Sequence, residues 1–445
     1  MNTSFSKPFK LISLLVCLTS SAYLSASNEP VRADQEPTIK LNCGALVDVT
    51  TKELLGPSTI TISGNKIVSV SSIDSSMDDV INLSDQTCLP GLIDMHVHLT
   101  SQSNPKSYIE RFTLNTADYA FRAAKYAKIT LNAGFTSVRN LGDDGTVTAS
   151  LRNAIAQGVA QGPRIYTAGK SLATTGGHAD PSNGYRADLM GDPHAKDGVV
   201  NSAEEARKAV RQRYKEGADL IKITATGGVL SQAKSGQNPQ FQDDELAAII
   251  ATAKDYGFKT AAHAHGAEGM KRAIRAGIDS IEHGTLMDDE TRSLMRKNGT
   301  YLVPTILAGQ FVMEKAKIDG YFPEIIRPKA AAIGPLLKTN FTKAVEAGVK
   351  IAFGTDTGVS PHGDNAQEFK YMVEAGMPAM EAIRSATVHA ADLLGESDHL
   401  GSIEAGKLAD IIAVKGNPLD DISILESISF VMKDGVIYTG NPDLD

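Results

Sequence analysis

Residues 92–99 read Leu92-Ile93-Asp94-Met95-His96-Val97-His98-Leu99, an apolar strand that ends in two histidines spaced two apart. Successive side chains of a β-strand point to opposite faces, so His96 and His98 share one face. From this stretch onward, short apolar strands alternate with helical stretches, the pattern of βα units around a parallel sheet. Seven further strands are predicted at 135–141, 163–168, 219–225, 259–265, 279–284, 300–306 and 350–355. Eight such repeats over about 270 residues predict an α/β fold of the TIM-like (β/α)8 barrel type, whose active sites lie at the carboxyl ends of the strands. On that fold the face shared by His96 and His98 is the barrel interior. An inward His-x-His pair is costly to bury among apolar side chains, which favours a metal over a satisfied core pair.

The other strand ends carry matching chemistry. Lys222 closes the fourth strand inside Leu220-Ile221-Lys222-Ile223-Thr224. A lone ammonium beside a cation would be repelled, so two readings stand: an ion pair with an internal acid, or reaction with carbon dioxide to a carbamate, an anionic oxygen ligand able to bridge two metals. The fifth strand supplies His263 and His265, the sixth His283 after Glu282, and the eighth ends in Gly354-Thr355-Asp356. Any one of these alone reads equally well as a core histidine or a cap. One ligand-type residue at each expected strand end is a far stronger signal. His178, in Gly176-Gly177-His178 of the loop after strand three, is a candidate contact for a substrate carboxylate and equally a solvated loop histidine. The run Gly227-Gly228-Val229 lacks the Lys-Ser/Thr signature of a phosphate loop and reads as the flexible start of an active-site loop. Tyr301 starts strand seven at the end away from the chemistry and reads as structural, His194 and His399 as surface residues, and His362 and His389 carry no assignment.

Outside the barrel the pattern is all β. Strands are predicted at 39–49, 58–62 and 66–70, with Ser63-Gly64-Asn65 as a turn, and again in the tail at 411–414 and 430–436. The simplest topology packs the tail against the first module, giving a small β-sandwich built from residues 28–90 and 396–445 around a barrel at 91–395. A helix over 380–394 closes the barrel, another runs over 243–256, and two insertions, 169–201 and 307–347, interrupt the regular spacing. Residues 1–27 read as an export signal: Lys7 and Lys10, an apolar run over 11–18, then small residues to a cleavage site near Ala26 or Ser27. A lipoprotein reading through Cys17 is weak, because Val16 stands where a small residue is usual. The apolar run falls short of the roughly 20 residues of a spanning helix. A soluble, periplasmic or secreted protein is expected.

With 445 residues, 42% hydrophobic and 22% charged, the chain has material for a large core and no compositional case for disorder. Lys plus Arg number 44 against 52 Asp plus Glu, a net charge of -8 that becomes -10 once the two signal lysines are removed. Without a basic stripe, nucleic acid is not an expected partner. Of three cysteines, Cys17 leaves with the signal, and Cys43 and Cys88 are either a disulfide or two buried thiols.

This constellation resembles the amidohydrolase superfamily, and His96-x-His98, Lys222, His263, His283 and Asp356 together are similar to its binuclear-metal, carbamylated-lysine group. Leu89-Pro90-Gly91-Leu92-Ile93-Asp94 and Gly406-Lys407-Leu408-Ala409-Asp410 are similar as well. Residues 262–284 and 361–390 resemble the branch of imidazolonepropionase-like enzymes, Xaa-Pro and Xaa-Arg/Lys dipeptidases and ochratoxin-cleaving amidohydrolases. The resemblance implies one metal on His96, His98 and Asp356, a second on His263 and His283, and a carbamate on Lys222 as the bridge. It favours His263 over His265 as the strand-five ligand, leaving His265 to contact substrate. Zinc is the metal expected from such nitrogen and oxygen ligands, with cobalt or manganese compatible. The implied reaction is hydrolysis of an amide in a dipeptide or N-acyl amino acid bearing a carboxylate, by metal-activated bridging water with Asp356 moving the proton. A cyclic amide or lactone hydrolase is the second enzyme reading. A non-catalytic barrel relic is disfavoured because no expected ligand is missing. Homo-oligomers are common in the branch.

Overall fold

A computed structural model describes residues 38–73, 80–143, 145–232 and 236–440. The expected export signal, Cys17 included, lies outside the described residues. The chain begins with β1 (Thr38–Asp48), β2 (Glu53–Leu55), β3 (Ser58–Ser63), β4 (Lys66–Ser72) and β5 (Ile81–Pro90). It continues through β6 (Leu92–Val97), β7 (Phe135–Asn140), β8 (Arg164–Thr167), β9 (Leu220–Thr224), β10 (Lys259–Gly266), β11 (Ser280–Leu286) and β12 (Tyr301–Val303), with helices between these strands. It ends with β13 (Ile411–Lys415), β14 (Phe430–Lys433) and β15 (Val436–Thr439).

Strands from the two chain ends share one eight-stranded sheet, in the order β15-β14-β13-β5-β1-β3-β4 with β2 on β1. This single hydrogen-bonded order replaces the two separate layers expected of a sandwich. The sheet curls back on itself, because Ile67 N donates to Lys407 O (2.9 Å) and Ala409 N to Asn65 O (2.8 Å). The run Ile411-Ile412-Ala413-Val414 is apolar without alternation because both of its faces are buried: Ile411 and Ala413 join a core with Leu41, Ile60 and Phe430, while Ile412 and Val414 pack into the larger α/β core. In β1 the ladder shifts at Gly44, where a Cβ would stand 2.1 Å from the Ser84 carbonyl oxygen. The bulge lets Cys43 and Leu46, three apart, face the same core. Cys43 and Cys88 form a disulfide across the parallel pair β1 and β5, with a Cα–Cα distance of 5.9 Å.

The strands β6-β7-β8 and β12-β11-β10-β9 form two all-parallel sheets. Most of their residues are buried on both faces, as helices before and after each strand require. Backbone hydrogen bonds join the two sheets at both margins. Asp219 N donates to Thr167 O (2.7 Å) and Leu172 N to Lys222 O (2.8 Å) on one side. On the other, residues 350–357 lie between β12 and β6, through Leu302 N to Lys350 O (2.8 Å), Met95 N to Phe353 O (2.9 Å) and Asp356 N to His96 O (2.7 Å). The predicted eighth strand thus occupies its expected place, but only as isolated bridges at Ile351 and Thr357. The physical reason is Asp94, whose carboxylate takes the Thr355 N–H that a ladder would otherwise use (3.1 Å).

Two further expectations are corrected. The helix expected over 380–394 is two helices, Ala379–Ser385 and Val388–Leu394. The break frees the Ser385 and Ala386 carbonyls to accept from Phe353 N (2.9 Å) and Ile93 N (2.8 Å), which docks the helices on the strands. The strand expected over 430–436 is the hairpin β14–β15, turned by Asp434-Gly435 with φ of +51° and +75°.

The disulfide closes a 45-residue separation, which the loop-entropy relation values at about 4 kcal/mol. The double variant Cys43→Ala/Cys88→Ala is expected to unfold at lower urea concentration, with a loss of about 2–4 kcal/mol. A reductant should lower the wild type to a similar level and leave the variant unchanged.

Candidate active site

The carboxyl ends of the parallel strands converge on a cavity of about 230 Å3. Its wall includes His96, His98, Lys222, His263, His283 and Asp356, all the expected ligands, together with His265 and His178. His96 and His98 leave the end of β6 on one side, as the two-residue period requires. Asp356 meets them from the neighbouring segment at a backbone φ of +59°. Its Oδ1 stands 3.4 Å from His96 Nε2 and 3.2 Å from His98 Nε2, yet this buried oxygen accepts no well-directed hydrogen bond.

The outer hydrogen bonds of the two rings explain why. His98 Nδ1 lies 3.1 Å from the Gly142 carbonyl oxygen and His96 Nδ1 lies 2.9 Å from Glu282 Oε2. Both partners accept only, so each ring donates from Nδ1 and turns Nε2 toward Asp356. Two ring nitrogens and a carboxylate oxygen then face one another with no proton between them, the donor set that suits a divalent cation. His96, His98 and Asp356 are the only group of three such residues among those described whose ligand atoms all lie within 4.8 Å of one another. Burial, above all other effects, keeps His96 neutral, lowering its pKa to about 4.

The second cluster comes from β9, β10 and β11. His263 Nε2 lies 3.1 Å from the Gly227 carbonyl, which fixes Nε2 as the donor and Nδ1 as the free nitrogen. His283 Nδ1 meets Thr305 Oγ1 at 2.7 Å, and His265 Nδ1 meets Thr285 Oγ1 at 2.7 Å. The His263 and His283 ring centroids are 4.7 Å apart, and those of His96 and His283 are 5.2 Å apart. Burial pushes the pKa of His263 and His283 well below the usual value and that of His265 to about 3. Lys222 is buried without an ion pair or hydrogen bond to any described residue, and burial lowers its pKa to about 8.

His178 is drawn into the cavity rather than standing in solvent. Its ring stacks on His263 at 4.3 Å, and its Nδ1 is buried without a hydrogen-bond partner. Gly228 makes this possible, since a Cβ there would come within 2.2 Å of the His178 ring. The glycine run read as a loop start therefore has a steric role. The remaining histidines stand apart from the cavity: His362 stacks on Tyr126 at 4.6 Å and His389 bonds the Ile351 carbonyl at 3.2 Å. Tyr301 donates to Asp392 Oδ2 at 2.6 Å, away from the site.

Sequence reading missed the layer behind the ligands. Glu282 is fully buried, bonded to His96, to Arg139 Nη2 (2.8 Å) and to Ser280 Oγ (2.6 Å). Burial pushes its pKa up, but Arg139 and then His96 prevail and hold it down to about 2. Asp94 accepts from His96 N (3.0 Å), Thr355 Oγ1 (2.6 Å) and Asn365 Nδ2 (2.8 Å), so it fixes β6 against the Asp356 segment. Of the five non-glycine residues with positive φ among those described, three are His283, Thr305 and Asp356. Each costs about 1–3 kcal/mol, strain concentrated where side chains must be aimed.

Parallel βα units with a histidine-rich, carboxylate-bearing cavity at the strand ends place this chain in the amidohydrolase family, whose profile matches residues 87–440. It is a hydrolytic enzyme acting on carbon–nitrogen bonds. Among individual proteins, it is similar to a solved Xaa-Pro dipeptidase with methionine bound in its active site, at 55% identity and a TM-score of 0.88, over 91% of this chain and 100% of that one. It is 32% identical over 369 residues to the ochratoxinase of Aspergillus niger, covering 79% of this chain and 75% of that protein. An imidazolonepropionase of Fusobacterium nucleatum is 24% identical over 384 residues, 79% of this chain and 83% of that one.

Glu282→Gln keeps the shape of the side chain and removes the charge that fixes the His96 ring and neutralises Arg139. It is expected to weaken retention of divalent metal about 10–100-fold. Metal content after dialysis against graded chelator is the measurement, and wild-type retention would refute the assignment.

Proposed function

We propose that the chain is an exported, binuclear metal-dependent dipeptidase that hydrolyses the amide bond of dipeptides or N-acyl amino acids with a free carboxylate. Xaa-Pro substrates and ochratoxin-type amides are the first to test. The observation that carries this reading is the meeting of all eight expected side chains, from five separate strands and one loop, in one small cavity. The similarity to the Xaa-Pro dipeptidase over nearly the whole described chain supports it. In the same reading the seven ladder strands and residues 350–357 form a closed (β/α)8 barrel at 91–395, flanked by one small β domain from 28–90 and 396–445. Export through the segment 1–27 is consistent with a disulfide, which persists in oxidising compartments. Assembly into a homo-oligomer completes the proposal. No described helix is long and apolar enough to cross a membrane.

In this assignment His96, His98 and Asp356 would hold one cation, and His263, through Nδ1, and His283 would hold the second. Lys222, as its carbamate, would supply the oxygen ligands shared by the two; a buried amine that forms no close ion pair with a described carboxylate supports this over the ion-pair reading. Zinc is the metal that this nitrogen and oxygen set favours. Such a pair, when bound, supplies Lewis acidity and a nucleophile at neutral pH. The chain's own residues do the rest. Asp356 takes the proton of the attacking water and returns it to the departing amine, a role for which a buried carboxylate aimed into the cavity beside two histidines is suited. His178 and His265 orient the substrate, His178 through a nitrogen with no hydrogen-bond partner among the described residues. Hydrolysis of dipeptides by purified protein supplied with zinc and bicarbonate is the direct test. Failure across dipeptides and N-acyl amino acids would overturn the proposal.

Two variants separate the roles. Lys222→Ala should lose metal and activity together, and short carboxylates added with zinc should restore part of both by replacing the carbamate oxygens. Full activity without rescue would rule out the bridging role. Asp356→Asn keeps an oxygen ligand but cannot carry a proton. It should retain most of its metal while kcat for an amide falls by roughly 1,000-fold or more, with a smaller loss for an activated ester whose leaving group needs no proton. Equal losses for the two substrates would remove leaving-group protonation from Asp356.

A further inference from the structure

The proposed chemistry uses the polar half of the cavity. The other half is built largely by the insertion after β12. Helix Ile306–Lys315 crosses helix Arg327–Glu346 where Gly309 meets Gly334. A Cβ on Gly309 would stand 2.3 Å from Leu337 Cδ1, and one on Gly334 would stand 3.2 Å from the Gly309 carbonyl oxygen. The absence of side chains at this crossing brings the helices close enough for both to wall the cavity. Ala308 and Val312 reach it from the first helix, Ile333 and Leu337 from the second, each pair four residues apart on one face. Val229 and Leu230, from the loop after β9, complete the surface. None of these side chains offers a donor or an acceptor.

We propose that this apolar wall is the subsite for the side chain on the acyl side of the scissile amide, and that it selects uncharged aliphatic or thioether side chains. The inference rests on the dipeptidase reading above. A scissile carbonyl held against Asp356 and the histidines is bonded directly to the α-carbon of the acyl residue. Its side chain is therefore the substituent nearest the opposite wall, in a cavity of only about 230 Å3. On this assignment the leaving residue falls to the opening shared with an outer cleft of about 1570 Å3, where His98, Ser171 and His178 supply polar contacts beside Leu230 and Val359. A carboxylate or ammonium on the acyl side chain would lose its water against a wall that returns no hydrogen bond.

The test is kcat/KM for the zinc-loaded enzyme on two dipeptide series. One varies the acyl residue (Ala, norleucine, Met, Glu, Lys) before proline, and the other varies the leaving residue after norleucine. Norleucine and Met should exceed Ala by about 10-fold or more, as apolar pockets discriminate. They should exceed Glu and Lys by at least 100-fold. Gly309→Ala, which drives Leu337 from its place, should pull the norleucine-to-Ala ratio toward one. Leu337→Ala, which only removes atoms, should shift preference toward Phe, and a ratio between substrates is insensitive to a general loss of folded enzyme. A flat acyl series, or a preference confined to the leaving series, overturns the subsite. Calorimetry with free norleucine and glutamate on the same preparation separates the two claims. Norleucine binding without glutamate binding, in a protein that cleaves no dipeptide, would sustain the pocket and refute the dipeptidase reading. Cleavage with no acyl preference would do the reverse.

Discussion

The Glu282 carboxylate, buried between Arg139 and His96, is the interaction on which the site depends. Arg139 stands on β7 and Glu282 on β11, strands of the two different parallel sheets, so their ion pair crosses the interior between them. Arg139 also donates through Nε to Met95 O (2.6 Å) and through Nη1 to Ser280 Oγ (3.1 Å), which ties β6 and β11 to the same guanidinium. Two opposite charges at this depth add little net stability, but removing either leaves the other uncompensated at about 3–5 kcal/mol. That asymmetry makes the pair a positional constraint: the strands must stay where the charges meet. Because the second Glu282 oxygen faces His96 Nδ1, the same constraint sets which nitrogen of His96 looks into the cavity.

Asp94 performs a parallel task with neutral donors. It gathers backbone and side-chain N–H and O–H groups from β6, the Asp356 segment and Asn365, and it costs that segment its regular ladder. The consequence is an eighth strand irregular enough for Asp356 to adopt positive φ and aim between two histidines. Regular hydrogen bonding and correct aim compete here, and the side-chain carboxylate settles the competition in favour of aim.

Much of this was legible in the sequence, for reasons that differ by residue. The histidines stood out because ligand types recur at the ends of apolar runs, and a period of two put His96 with His98 unambiguously inside. Glu282 was hidden by the same rule, since strand parity places it and His283 on opposite faces. The positive φ of His283, which no pattern announces, lets adjacent residues both serve the site. Arg139 and Thr305 were hidden because their partners are distant in sequence, so only the folded chain brings them together. The closing helix was drawn too long because helical periodicity runs across residues 386–387, where tertiary hydrogen bonds to β6 and residue 353 prevail over propensity. The Asp434-Gly435 turn, by contrast, carries a recognised hairpin signal that the single strand drawn over 430–436 passed over.

The distribution of function over the fold follows from what each part can tolerate. Ligand side chains project from strand ends locked by buried charges, where a small displacement would separate lone pairs that must meet on one ion. The apolar wall sits on two helices of an insertion held to its surroundings by side-chain packing and a few bonds: Glu368 accepts from Ile306 N (2.9 Å) and Leu307 N (2.6 Å), and Asn340 Nδ2 donates to Thr285 O (2.6 Å) on β11. Those bonds fix where the first helix begins, immediately after Thr305, the residue that orients His283. Beyond that point the helices can change their facing residues without moving a ligand. Catalytic geometry is therefore set by the strands and the shape of the substrate pocket by the insertion, and the two meet where Thr305 holds His283 and where Asn340 bonds Thr285, the partner of His265.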